Sequence, residues 1–308
     1  MVKVNVESVG LRFNMNNFWC ITTFFNPAGY KTIVDNYNVF SSKLNANLLT
    51  VEVSFDGKFY LNDSVKINAK DVMWMKERLI NYACSLLPSN CDMFAWIDAD
   101  IIFADPDWQH KAIQKLKHND IIQLFKRVFY LPQGHTSYQG EQLITFPGVV
   151  YQKNCYENWL EKRRNREIGF GAPGFAWAAR RTAFQNGIYD RDIAGSGDCV
   201  LVDCLLDTWD LHGYDIKYNQ FMKNDIENWC SKVQNLTTTY LPVDVFHLWH
   251  GNINNRAYLK RHKTFNDNDF NPNEDIKING PVFEWNSSKP DLHKDVKNYF
   301  YARQEDLN

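Results

Sequence analysis

Asp98 and Asp100 stand one residue apart in "AWIDADIIF" (95–103), at the end of a run that otherwise suits a buried strand. Side chains two apart on a strand share a face, so the pair forms a two-pronged oxygen site. Two like charges buried side by side are costly without a partner, and a divalent cation with oxygen ligands, Mg²⁺ or Mn²⁺, is the usual relief. The competing reading is a pair of turn acids ahead of "ADPDW". Downstream, His247 and His250 flank Trp249 with no cysteine nearby, which excludes a zinc finger and leaves either imidazole able to complete an aspartate-bound metal. Arg256, Lys260 and Arg261 follow and are suited to phosphate. Asp198 comes after Gly195 and Gly197 at the head of an apolar helix, where a carboxylate is either an N-cap or a general base. Gly169, Gly171 and Gly174 match G-x-G-x-x-G, but "NWLEKRRNREI" before them is a charged helical segment where a dinucleotide fingerprint needs an apolar strand. The loop reads instead as a flexible floor leading to Trp177, either a stacking surface for a sugar-like group or a core residue.

The elements that must carry these residues alternate. "FWCITTFF" (18–25) and "ANLLTVEVSF" (46–55) are β-branched and aromatic runs ending in turn chemistry. Between them Ile33, Tyr37 and Phe40 fall at helical spacing. "KDVMWMKERLINYACSLLP" repeats the device with Val72, Met75, Leu79 and Ala83 on one face, and "DMFAWIDADIIF" follows. Strand, helix, strand, helix, strand predicts an α/β fold with a mainly parallel sheet flanked by helices, whose ligands collect at the carboxyl ends of the strands.

At 308 residues, 44% hydrophobic and 23% charged, the chain is long enough for a sizeable core. A formal net charge of -2 argues against a protein built to neutralise a nucleic-acid backbone. No stretch has the ~20 apolar residues of a membrane span, and the first residues lack the apolar centre of a secretory leader, so a cytoplasmic protein is expected. Seven scattered cysteines without C-x-x-C spacing are expected to be reduced thiols, and three glycosylation sequons to be chance matches.

In order, "DAD", "GFGAPGF", "SGD" and "HLWHG" resemble the D-x-D motif, glycine loop, x-E-D acid and C-terminal metal histidine of GT-A fold glycosyltransferases. The resemblance covers most of residues 18 to 261. It is nearer to poorly characterised bacterial and phage members, in which "MWMKERLIN", "WIDADIIF" and "HLWHGNINNRAY" stand as blocks. Gly197 stands where many members carry Glu. The resemblance implies a GT-A domain over 1–261, an extension over 262–308 packing on it, and transfer of a hexose or pentose from a nucleotide sugar, UDP- or GDP-linked, to an acceptor hydroxyl. It places Thr22, Asn26 and Glu52 at the nucleoside, and Lys76 and Asn81 at the donor. Asp98 falls at ribose or metal, and Asp100 at a Mn²⁺ or Mg²⁺ that bridges the diphosphate, with Arg256 nearby. His250 is favoured over His247 as the nitrogen ligand because Gly251 follows it. Asp198 is expected to be the base of an inverting reaction, and Gly174, Trp177 and Arg180 are expected to face the acceptor.

Two other classes use some of the same residues. A metal-dependent nuclease or phosphodiesterase wants clustered acids, but more ligands for a second metal than can be grouped here. A non-catalytic carbohydrate-binding module would keep the aromatics without the ordered acids and histidines. The basic run Lys162, Arg163, Arg164 and Arg166, with Arg180 and Arg181, is either a solvated face or a grip on an anionic acceptor, such as a phosphorylated glycan or a modified nucleobase in DNA. Residues 264–292 are expected to form a long loop able to close over the site.

Overall fold

The computed structural model describes residues 17–208, 217–233, 235–258 and 260–306. The expectation of a leaderless N-terminus falls on residues 1–16, outside these. The apolar run Phe18–Phe25 is β1, Lys31–Lys43 is α1 and Asn47–Ser54 is β2. After β3 (Val65–Asn68), α2 (Lys76–Leu86) leads to β4 (Met93–Ile97). Helix α2 begins at Lys76 and not at Lys70, because Trp74 N–H bonds the Ile193 carbonyl instead of a helical partner. Then come β5 (Ile101–Phe103), α3 (Trp108–Leu116), β6 (Ile121–Gln123), β7 (Arg127–Tyr130), β8 (Ile144–Pro147), α4 (Val149–Cys155) and α5 (Trp159–Arg164). The rest comprises β9 (Ala176–Arg180), α6 (Gly197–Leu206), α7 (Gln220–Val233), β10 (Thr238–Tyr240), β11 (Asp244–His247), α8 (Lys263–Asp267), the β12 (Ile276–Asn279) and β13 (Val282–Trp285) hairpin, and α9 (Pro290–Ala302).

The main sheet has the order β10-β6-β9-β4-β1-β2-β3. It is the mainly parallel sheet that the alternation predicts, with β1 parallel to β2 and β4. One strand runs the other way: β9 is antiparallel to both β4 and β6. The stretch read as a flexible floor is therefore partly a central strand. A second sheet, β5-β11-β7-β8, lies at the carboxyl end of β4. Alternation along the strands sorts the core into two layers. Ile21, Phe94, Trp96 and Trp177 face α2, α6 and α7 on one side of the sheet, while Cys20, Ala95, Ile97 and Ala178 face α1 and α3 on the other.

The structure corrects two expectations. Residues 264–292 are not one long loop, since they contain α8, the β12–β13 hairpin and the start of α9. Nor are all cysteines reduced. Cys204 of α6 and Cys230 of α7 form a disulfide, with Cα atoms 5.6 Å apart. Their separation of 26 residues gives no local spacing signal, and only the packing of α6 on α7 brings them together. Cys20, Cys84 and Cys91 are buried thiols. No helix of the described residues is long and apolar enough to cross a membrane.

Candidate active site

The carboxyl end of β4 delivers Asp98 and Asp100 to one place. Asp98 N–H bonds the Phe175 carbonyl at 2.8 Å, fixing the turn against the start of β9, and Leu248 N–H bonds the Asp100 carbonyl at 2.9 Å, fixing it against the end of β11. Strand β11 pairs with β5 so that His247 lies opposite Ile101, which carries the histidines to the aspartates. His250 Nε2 is 3.0 Å from Asp100 Oδ2, His247 Nε2 is 3.6 Å from the same oxygen, and the two Nε2 atoms are 3.2 Å apart.

One ligand atom from each of Asp100, His247 and His250 fits within 4.8 Å of the others. Cis ligands about 2.1 Å from an octahedral ion lie about 3.0 Å apart, so this spacing suits a metal. Further, Asp100 Oδ1 is buried without a hydrogen-bond partner among the described residues, an orphan that a cation would satisfy. Burial pushes the His247 imidazole down to about 3, with His250 and Arg256 adding to the effect against the pull of Asp100, so it is neutral and its unprotonated ring nitrogen can act as a ligand. Burial alone would raise the Asp100 carboxyl, but His247, His250 and Arg256 outweigh it and hold the group below the ordinary carboxylate range. The residues present therefore fit a divalent ion such as Mn²⁺ or Mg²⁺.

Asp98 is handled differently. Its Oδ1 is 2.5 Å from Lys76 Nζ, at the first turn of α2. Burial and the nearby Asp100 raise its carboxyl, against Lys76. Burial works to lower the lysine, yet Asp98, Asp198 and Glu77 together raise it. Asp198 thus belongs to the same charge cluster. It is the second residue of α6, whose N-cap is Ser196, and Asp198 Oδ1 accepts from Cys199 N–H at 2.9 Å. Gly174 packs so closely on it that a Cβ there would collide with Asp198 Oδ2. A Cβ at Gly197 would likewise strike Glu77, whose carboxyl burial pushes up to about 8 and whose Oε2 accepts from Trp74 Nε1 at 3.1 Å.

A pocket in front of these residues is lined by Thr23, Asn26, Trp74, Lys76, Asp98 and Arg256, among others. Several expected contacts lie elsewhere. Thr22 is buried and donates to the Ile97 carbonyl at 2.7 Å, and its neighbour Thr23 faces the pocket instead. Glu52 is fully buried, accepting from Tyr60 N–H at 2.6 Å and Ser64 Oγ at 2.7 Å, so its carboxylate serves the adjacent loop. Asn81 ties α2 to the 188–190 segment through Ile188 at 2.8 and 2.9 Å. Asn26 does reach the pocket, although both ends of its amide brace Tyr30. Trp177 is 1% exposed in β9, and its indole donates to the Pro173 carbonyl, so it is a core residue and not an open stacking surface. Arg180 pairs in register with Met93, at the opposite end of β4 from Asp98, which removes it from the site. Arg181 bonds the Pro88 carbonyl at that same far end, and Arg163 is buried over the Trp159 ring. Arg256 lines the pocket, with Nη2 2.7 Å from His250 Nε2.

Three residues at the site carried no signal in the sequence. Tyr130, ending β7, places its ring 4.7 Å from His247, and burial, with smaller contributions from Tyr258, Asp100 and Asp198, pushes its hydroxyl up. Arg303 and Glu305, beyond α9, also line the pocket, and Glu305 Oε1 is 2.7 Å from His250 Nδ1. No motif surrounds either in "YARQEDLN".

No protein-family model matches the sequence, and no curated protein matches it. Solved structures similar to it include glucosyl-3-phosphoglycerate synthase from Mycobacterium tuberculosis in complex with Mn²⁺, UDP and phosphoglyceric acid, at a TM-score of 0.42 and 11% identity over 85% of this chain and 81% of that one. The catalytic domain of Drosophila beta1,4galactosyltransferase 7 with xylobiose gives a TM-score of 0.34 at 12% identity, over 72% of this chain and 63% of that one. The 4-diphosphocytidyl-2C-methyl-D-erythritol synthase from Anaerococcus prevotii gives 0.36 at 9% identity, over 73% and 86%. At such identities and scores the likeness assigns no chemistry to this chain, and its function must be argued from its own residues.

Proposed function

We propose that this protein is a divalent-metal-dependent glycosyltransferase that moves a sugar from a UDP- or GDP-linked donor to an acceptor hydroxyl with inversion. The observation that carries the reading is the convergence of Asp100, His247 and His250, with an orphaned aspartate oxygen, at the rim of a pocket formed by the carboxyl ends of β1 and β4. A bound Mn²⁺ or Mg²⁺ would neutralise the charge that develops on a departing nucleoside diphosphate. Two imidazoles beside one carboxylate favour Mn²⁺, since Mg²⁺ prefers oxygen ligands. Lys76, held by Asp98, and Arg256 place two positive charges where phosphate oxygens would lie. Asp198 takes the proton of the acceptor hydroxyl, its carboxylate held at the first turn of α6 by Cys199 N–H.

A two-metal phosphodiesterase would need two ligand clusters, and the described residues hold only that of Asp100, His247 and His250. Of the basic residues that motivated an anionic acceptor or a nucleobase, Arg180 and Arg181 lie at the far end of β4 from Asp98 and Arg163 is packed over Trp159, so an acceptor glycan is the better reading. The Mycobacterium synthase was crystallised with Mn²⁺ and UDP, which makes them sensible first probes. The test is release of UDP or GDP from UDP-glucose, UDP-galactose and GDP-mannose in the presence of Mn²⁺. Release that stops on adding EDTA is expected. Release from none of a full panel of sugar nucleotides, or release indifferent to the chelator, overturns the reading.

A further inference from the structure

The segment after α9 runs back across the molecule and is pinned at several points beside the donor pocket. The Tyr30 hydroxyl donates to the Tyr301 carbonyl at 2.8 Å and accepts from Gln304 N–H at 3.0 Å. Thr32 N–H bonds Asp306 Oδ1 at 2.8 Å, and Asn255 Nδ2 bonds the Arg303 carbonyl at 3.2 Å. Opposite it, Gly251 has φ +82, and a Cβ there would stand 2.9 Å from the Gln304 carbonyl oxygen and 3.1 Å from Glu305 Cα. The residue after His250 is therefore glycine for two reasons: the backbone is left-handed, and the returning chain fills the space a side chain would need.

This seating puts the Glu305 carboxylate, 2% exposed, against His250 Nδ1 at 2.7 Å. Arg303 Nε donates to the same Glu305 Oε1 at 2.8 Å. The tautomer of His250 is set by its neighbours. Arg256 Nη2, 2.7 Å from Nε2, can only donate, so Nε2 is the acceptor and the ring proton is on Nδ1, donating to Glu305. Nε2, 3.0 Å from Asp100 Oδ2, is thereby left without a proton, and a metal held by Asp100 would take its lone pair in place of Arg256. His247 has no such support, since its Nδ1 is buried without a partner among the described residues.

We propose that Glu305 is a positioning residue for the metal centre: it fixes the tautomer and the ring orientation of His250, making the segment after α9 a part of the site and not an appendage. This rests on the metal site proposed for Asp100, His247 and His250. A carboxylate behind a ligating imidazole typically contributes about ten- to hundredfold in metal affinity. The experiment measures Mn²⁺ affinity of the full chain, wild type against Glu305→Ala and Glu305→Gln, from the electron paramagnetic resonance signal of free Mn²⁺, with thermal melting alongside. Asp306→Ala serves as a control that loosens the same segment without touching His250. Glu305→Ala is expected to weaken Mn²⁺ binding tenfold or more, Glu305→Gln to recover part of it because an amide oxygen still accepts from Nδ1–H, and Asp306→Ala to change it by less than about threefold. Wild-type binding with both Glu305 variants unchanged overturns the role of Glu305 alone, as does an Asp306→Ala loss equal to that of Glu305→Ala. A wild-type protein that binds no Mn²⁺ overturns the metal reading, and this assignment with it. Should Glu305→Ala melt far below wild type, the isosteric Glu305→Gln still decides, because it must bind more weakly than wild type.

Discussion

Glu52, fully buried, and Asp100, part-buried with its Oδ1 shut off from solvent, both lie near the carboxyl ends of strands in the same sheet, and their partners divide them. Glu52 receives Tyr60 N–H, Leu61 N–H and the Ser64 hydroxyl, all from one loop eight to twelve residues further along the chain. Its bonding capacity is spent on shaping that loop. Asp100 faces two imidazoles brought from the far side of the sequence and keeps one oxygen without a partner among the described residues. Burial is thus no mark of function in a carboxylate. What separates the two is whether the surrounding groups are backbone donors that finish the bonding or side chains that leave it open to a ligand.

The sharpest way to break this contrast is to remove each acid in turn. Asp100→Ala is expected to abolish metal-dependent turnover while the protein melts within a few degrees of wild type, measured by turnover and calorimetry on the same sample, because relieving crowded charge does not unfold a domain. Undiminished activity in that variant would leave Asp100 no different from Glu52. Asp198→Asn tests a third acid, placed at the helix start without being its N-cap: transfer should fall about a hundredfold or more while UDP binding persists. Glu52→Ala should behave in the opposite manner, losing about 3 kcal/mol of stability as buried loop donors go unmet, with activity per folded molecule unchanged. Urea denaturation measures the first and active-site titration the second.

Glu77 extends the contrast to an acid kept protonated. Its folded value of about 8 lies above the ordinary 4.5, so between those limits the native state binds more protons than the unfolded chain and stability falls as pH rises through that window. Glu77→Gln should flatten this slope, leaving the variant the more stable protein above pH 8 in melts run across the range. The smallest effect belongs to Arg180→Ala, at the far end of β4, where transfer should stay within about twofold of wild type.

The first half of the sheet is readable in the sequence because buried parallel strands are continuous apolar runs, and β1, α1, β2 and β4 all lie within such runs or the helical spacing between them. Asp98 and Asp100 stand out as charges ending one of them. The histidines are visible as a spacing, but their meeting with Asp100 depends on β11 pairing with β5, which no local pattern encodes. Strand β9 is hidden because "AWAAR" lacks β-branched residues and follows a glycine loop, and with it goes the direction that sends Arg180 away from the site. Thr22 and Thr23 differ by one step in a period of two, enough to exchange core for pocket. Glu305 is illegible for a different reason: its role is set by tertiary contacts to Tyr30, Thr32 and Gly251, hundreds or tens of residues away.

The pairing of β5 with β11 also has a consequence for how the chain reaches its native state. Val245 lies opposite Phe103, and Glu305 closes on His250, so the proposed ligands and their support come from segments that meet only after long loops have closed. Loop closure of this length is the slow part of folding. A chain with the first sheet half formed would hold the aspartates and no histidine. Added Mn²⁺ would therefore ignore such intermediates and draw the equilibrium toward the completed chain, each tenfold rise above its dissociation constant adding about 1.4 kcal/mol to the apparent stability.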